Sequence, residues 1–153
     1  MSILIVEDEA AKLEDLHVFF TSHYPKREVA AAKSVRSAVD CIRGGKDFQL
    51  IALDMSLPTF DVTRIESGGA PKGFGGIEVL RYLQKDGVGT PVIVVTAYEA
   101  FTEGPRIVSL DDLRHQLLIE FPENFQGLVY YNVLYRDWMD ALEILSKAIL
   151  GDE

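Results

Sequence analysis

Four oxygen-bearing side chains each close a short apolar run. Glu7 and Asp8 follow Ser2-Ile3-Leu4-Ile5-Val6, Asp54 follows Gln49-Leu50-Ile51-Ala52-Leu53, and Thr96 ends Pro91-Val92-Ile93-Val94-Val95. Three carboxylates brought together repel one another, and at neutral pH they need a cation or a raised pKa. An oxygen-only donor set that leaves places for water suits Mg²⁺, which completes its shell with water and phosphate oxygens. A carboxylate beside such an ion can attack phosphorus, and the Thr96 hydroxyl can then donate to a phosphoryl oxygen. Plainer readings compete. Glu7-Asp8-Glu9 also suits the acidic first turn of a helix. Asp54 also suits a turn before Pro58, and Thr96 is an ordinary strand residue. The position of the elements decides between these readings.

Runs of four to six apolar residues bounded by turn signals read as buried strands. Such runs lie at 2–6, 49–53 and 91–97, with a weaker one at 27–31 and a fifth at 127–132. Between them, apolar residues recur at helical spacing. Leu13, Leu16, Phe19 and Phe20 mark a first helix, and Val35, Ala38, Val39 and Ile42 a second that starts at Ser34. Ile77, Leu80 and Leu83 mark a third, Leu113, Leu117 and Leu118 a fourth, and Trp138, Leu142, Leu145 and Ile149 a closing one. Five alternations of strand and helix predict an α/β fold with a parallel sheet covered on both faces. In such a sheet all carboxyl ends share one edge, where ligands bind. Neighbouring first, third and fourth strands would therefore bring Glu7, Asp8, Asp54 and Thr96 together. Residues 98–108 read as a loop. Thr59 to Gly73 is glycine-rich, without clear period, and too long for an ordinary strand–helix connection.

The 153 residues make one ordinary domain. A net charge of −9 argues against direct nucleic-acid binding, which needs a basic face, and against docking on anionic lipid. A single cysteine, Cys41, excludes an intrachain disulfide. No apolar run reaches the roughly 18 residues that span a bilayer, and no basic segment leads into a long apolar one at the N-terminus. The expected location is the cytoplasm.

With these residues in place, the chain resembles a response-regulator receiver domain, the phospho-accepting partner of histidine kinases. Four motifs carry the resemblance in order: Ile3-Leu4-Ile5-Val6-Glu7-Asp8-Glu9, Leu53-Asp54-Met55-Ser56-Leu57-Pro58, Gly75-Gly76-Ile77-Glu78-Val79-Leu80, and Pro91-Val92-Ile93-Val94-Val95-Thr96-Ala97. The resemblance implies a flavodoxin-like, doubly wound five-stranded parallel sheet of order 2-1-3-4-5. It implies that Asp54 accepts the phosphoryl group and that Asp8, with Glu7 beside it, holds Mg²⁺ together with Asp54 and the backbone carbonyl of Ser56. It implies that Thr96 contacts the phosphoryl group and acts as a switch residue. The implied partners are a histidine kinase or phosphotransfer protein and a downstream effector protein, with a homodimer also compatible. No enzymatic turnover beyond slow self-dephosphorylation is expected. A haloacid-dehalogenase-type phosphatase would need a second aspartate two positions after Asp54, where Ser56 stands.

The chain also departs from the family. A lysine followed by proline ends the family's fifth strand, whereas this region reads Leu128-Val129-Tyr130-Tyr131-Asn132-Val133. Tyr130 or Tyr131 would fill the family's aromatic switch position. Arg136 after the strand and Lys72 in the insertion are the candidate substitutes for the missing lysine. If neither substitutes, the surface should respond weakly to phosphorylation, and the chain could serve as a phosphorylation-independent interaction module. The segment from Thr59 to Gly73, with Arg64 and Lys72, is an insertion relative to the family and is expected to work near the acceptor. The chain as a whole, 1–153, reads as one stand-alone receiver.

Overall fold

The computed structural model describes residues 1–61, 75–97, 100–103 and 106–152. The elements in chain order are β1 (Ser2–Val6), α1 (Ala10–His23), β2 (Glu28–Ala32), α2 (Val35–Arg43), β3 (Phe48–Leu53), α3 (Gly75–Lys85) and β4 (Val92–Thr96). They continue with β5 (Ala100–Glu103), β6 (Arg106–Ser109), α4 (Leu110–Glu120), β7 (Phe125–Tyr130) and α5 (Asp137–Leu150). The main sheet is ordered β2-β1-β3-β4-β7, and every neighbouring pair in it is parallel. This is the expected order, with β7 as its fifth strand. β1 and β4 are buried at every position, because a parallel strand inside the sheet has helices on both sides and alternates nothing with solvent. The edge strand β2 is partly exposed over most of its length.

Two apolar clusters divide along the pleat. Leu4, Val6, Ile51, Leu53, Val92 and Val94 face α2, α3 and α4, and pack with Ala38, Leu80, Leu83, Leu113 and Leu117. Ile3, Ile5, Leu50, Ala52, Ile93 and Val95 face α1 and α5, and pack with Leu16, Phe19, Phe20, Trp138 and Leu142. The period of two along each strand is the cause.

Local chemistry fixes the ends of the helices. Ser34 and Ser37 form a reciprocal capping box at the start of α2, which satisfies donors that the first helical turn leaves unpaired. The next two amides, of Val35 and Arg36, donate to the carbonyls of Pro58 and Thr59. The loop after β3 is thereby tied to α2. At the opposite edge of the sheet, the buried Asn124 amide donates to the carbonyls of Val88 (2.8 Å) and Thr90 (2.9 Å).

The segment expected as a loop at 98–108 is different. β5 and β6 pair antiparallel as a two-stranded sheet of their own, from Ala100↔Ser109 to Glu103↔Arg106. The sequence between them is Gly104-Pro105, a turn signal. The segment of 59–73 lies outside the described residues beyond Asp61, as do Arg64 and Lys72.

Candidate functional site

The carboxyl edge of β1, β3 and β4 gathers the acidic residues. β1 pairs with β3 so that Val6 stands opposite Leu53, and the Asp54 amide donates to the Val6 carbonyl at 3.0 Å. The residues following both strands, Glu7-Asp8 and Asp54, are therefore forced to one place. One carboxylate oxygen each from Glu7, Asp8 and Asp54 lies within 4.8 Å of the others. Glu7 and Asp54 are buried. Asp8 is partly exposed and gives the cluster an opening to solvent.

Helix α3 supports the end of β3 from the other side. The Gly76 amide donates to the Met55 carbonyl at 2.9 Å. A Cβ on Gly76 would stand 2.5 Å from the Asp54 carbonyl oxygen and 2.5 Å from Met55 Cε, and one on Gly75 would stand 2.3 Å from the Leu57 carbonyl oxygen. The pair of glycines lets the start of α3 touch the backbone that follows β3, a close approach that no side chain permits.

The cluster contains a cation that the sequence reading overlooked. Lys12, on the first turn of α1, is 2% exposed. Its ammonium lies 2.6 Å from Glu7 Oε1 and 3.3 Å from Asp54 Oδ1, and it donates to the Val95 carbonyl at 2.7 Å. An ammonium has three protons, and Lys12 has three partners. The contact with Glu7 is a close ion pair, and Glu7 Oε1 receives no well-formed hydrogen bond. Glu7 Oε2 accepts from the Glu9 amide at 3.0 Å. The signal for Lys12 was present in the sequence. Lys12, Leu16, Phe19 and Phe20 are the buried residues of α1, one stripe at helical spacing, and Lys12 is its only charged member. A lysine there also sits at the wrong end of the helix dipole, a local cost that the facing carboxylates offset.

Electrostatics follow from this packing. Burial pushes the Glu7 carboxyl up to about 7, with the neighbouring Asp54 charge adding to the rise and Lys12 opposing it. Asp54 is also raised above the ordinary carboxylate range by burial, against the pull of Lys12 and of the Ser56 amide that bonds it. Even with one ammonium in place, the cluster holds more negative charge than its surroundings solvate.

The remaining expected residues separate. Thr96 is fully buried at the end of β4. Leu53 stands opposite Val94, so Thr96 lies beyond the pairing at the same edge as Asp54. Tyr130 is the register partner of Thr96. Tyr131 belongs to the α1–α5 side, packs on Trp138 with ring centroids 5.1 Å apart, and donates its hydroxyl to Asp15. Strand alternation therefore turns Tyr130 to the opposite face, the one shared with α4. Arg136 is exposed just before α5, and among the described residues the cation paired with Asp54 is Lys12. Lys72 falls outside the described residues.

A doubly wound sheet of this order with an acidic cluster at its carboxyl edge defines a flavodoxin-like domain of the receiver type. The chain belongs to the response regulator receiver domain family, whose model matches residues 3–111. That match covers β1 through the first residues of α4 and stops before β7, the strand whose end departs from the family pattern. A protein of Sinorhizobium fredii, y4jR, is 29% identical over 148 residues, 94% of this chain and 95% of that one. Among solved structures, the phosphorylated cyanobacterial phytochrome response regulator RcpA is similar with a TM-score of 0.69 at 17% identity, covering 98% of this chain and 94% of that one. The response regulator TrrA of Thermotoga maritima, solved in complex with Mg²⁺–BeF, is similar with a TM-score of 0.59 at 19% identity, covering 94% and 97%. Among the described residues, no helix is long and apolar enough to cross a membrane.

Proposed function

We propose that this receiver accepts a phosphoryl group on Asp54 from a histidine kinase or phosphotransfer protein and signals through a partner protein. The observation that carries the reading is the convergence of Glu7, Asp8 and Asp54, with oxygens within 4.8 Å of one another, beside a buried ammonium. Asp54 is the member at the end of the central strand β3 and the one that Lys12 and the Ser56 amide both address. In the transfer, a carboxylate oxygen of Asp54 bonds to phosphorus while the bond from phosphorus to the donor atom breaks. With acetyl phosphate as donor, acetate leaves with the bonding electron pair, and no proton need move. Thr96 then donates its hydroxyl to a phosphoryl oxygen, and Tyr130 on the paired strand follows it.

The donor set fits Mg²⁺. It is all oxygen, carries excess negative charge, opens to solvent at Asp8, and leaves Glu7 Oε1 without a well-formed hydrogen bond. Glu7, Asp8 and Asp54 would hold the ion, with the backbone carbonyl of Ser56 completing the protein's share. When bound, Mg²⁺ would supply charge neutralisation to the phosphoryl oxygens. The chain is read as one receiver unit across 1–153, with 59–73 as an insertion relative to the family. Incubation with acetyl phosphate and Mg²⁺, followed by intact-mass measurement, tests the reading. One phosphoryl group should appear on the wild type and none on Asp54→Asn. Equal labelling of the two would reject Asp54.

A further inference from the structure

We propose that Lys12 is this receiver's phosphoryl-contacting lysine, delivered from helix α1 instead of from the end of the fifth strand. The inference rests on the reading of Asp54 as acceptor and adds the group that meets the transferred phosphoryl. Three observations carry it. The fifth strand of the sheet ends at Tyr130, and neither it nor the Tyr131-Asn132-Val133 that follows offers a cation. The Lys12 ammonium reaches Asp54 Oδ1 at 3.3 Å from a position that is 2% exposed. The Val95 carbonyl, at 2.7 Å, holds that ammonium at the end of β4, one residue before Thr96.

Of the three contacts, the Val95 carbonyl is fixed by the sheet, while Glu7 and Asp54 are the acidic pair that a phosphoryl group would perturb. When Asp54 Oδ bonds to phosphorus, the carboxylate loses its own charge to the new bond, the donor's leaving group departs with the electron pair of the broken one, and the arriving phosphoryl oxygens bring negative charge beside the ammonium. The ammonium then follows the charge, keeping its proton and its bond to Val95. Because Lys12 belongs to α1, the exchange is felt there. The ammonium lies 5.8 Å from the centre of the Tyr131 ring, and the Tyr131 hydroxyl bonds Asp15 on the same helix. Phosphorylation is therefore reported to α1 and Tyr131 as well as to Thr96.

The test compares wild type with Lys12→Met, a variant of similar length without the charge. At saturating Mg²⁺, phosphorylation of Lys12→Met by acetyl phosphate should be slowed tenfold or more. Mg²⁺ itself, titrated by Trp138 fluorescence, should bind the variant at least as tightly as wild type, because an ammonium 2.6 Å from Glu7 competes for the same carboxylate. A merely structural lysine would not give that split. The second measurement needs no variant. The buried Lys12 ammonium should give its own ¹⁵N side-chain NMR signal in wild type, and this signal and those of Tyr131 should move on adding beryllofluoride with Mg²⁺. An unmoved Lys12 signal in beryllofluoride-bound protein, or a variant phosphorylated at the wild-type rate, would overturn Lys12 while leaving Asp54 standing. A wild type that takes no phosphoryl group would overturn the acceptor reading and Lys12 with it.

Discussion

At the scale of single residues, the site is an unbalanced charge cluster. Glu7 titrates near 7 because burial and Asp54 outweigh the help of Lys12. Its folded pKa is above the ordinary 4.5, so between those two pH values the folded state holds a proton that the unfolded state has released. Stability of the Mg²⁺-free protein must then fall as pH rises through that window. Urea unfolding in EDTA should show a higher midpoint at pH 5 than at pH 7.5, provided the two are measured at equal ionic strength. A midpoint that rises across the same interval would mean Glu7 is ionised at ordinary cost. The acidic residues were legible from their places at strand ends. Lys12 is hard to read from sequence because a lysine ordinarily leaves the core, although this one lies on the buried stripe of α1. Its proximity to Asp54 depends on which element packs over the cluster and not on its place in the chain.

At the scale of elements, the position of Asp54 depends on how closely α3 approaches the end of β3. Gly76 has backbone on its open side, with the Asp54 carbonyl 2.5 Å from a would-be Cβ. Gly127 on β7 instead faces the tip of the Leu145 side chain at 2.8 Å, which can turn away. Gly76→Ala should therefore destabilise by roughly 2–3 kcal/mol, in the range of overpacking, and lower phosphoryl acceptance by displacing Asp54. Gly127→Ala should cost well under half as much and leave acceptance intact. Equal effects in urea titrations and labelling rates would refute the close-approach argument. The type and place in the chain of the main-sheet strands were readable because most are apolar runs with clear boundaries, β2 being the least distinct. The β5–β6 pair was missed because each strand has only 4 residues, too few for alternation to stand out from a loop.

At the scale of the whole molecule, the two edges of the sheet divide the work. The carboxyl edge holds the charged cluster, and the amino edge holds structural bonds such as those from Asn124 to Val88 and Thr90. Asn124→Ala leaves two carbonyls without their donor and should cost about 2 kcal/mol. Its phosphorylation rate at 25 °C should match wild type, as long as the protein remains folded at that temperature. A large loss of rate without a loss of stability would show that the edges are coupled. The strand order was an inference from resemblance and not from periodicity, since periodicity assigns faces but not neighbours. The helices on both faces then followed from the alternation alone.

The most direct measurement locates the phosphoryl group. After incubation with acetyl phosphate and Mg²⁺, borohydride reduces an aspartyl phosphate to homoserine, and peptide mass spectrometry reads its position. Homoserine at position 54, dependent on the phosphodonor and absent at Asp8 and elsewhere, is the predicted result. Phosphodonor-dependent reduction at another carboxylate, or none at all, would contradict the assignment of Asp54 as acceptor.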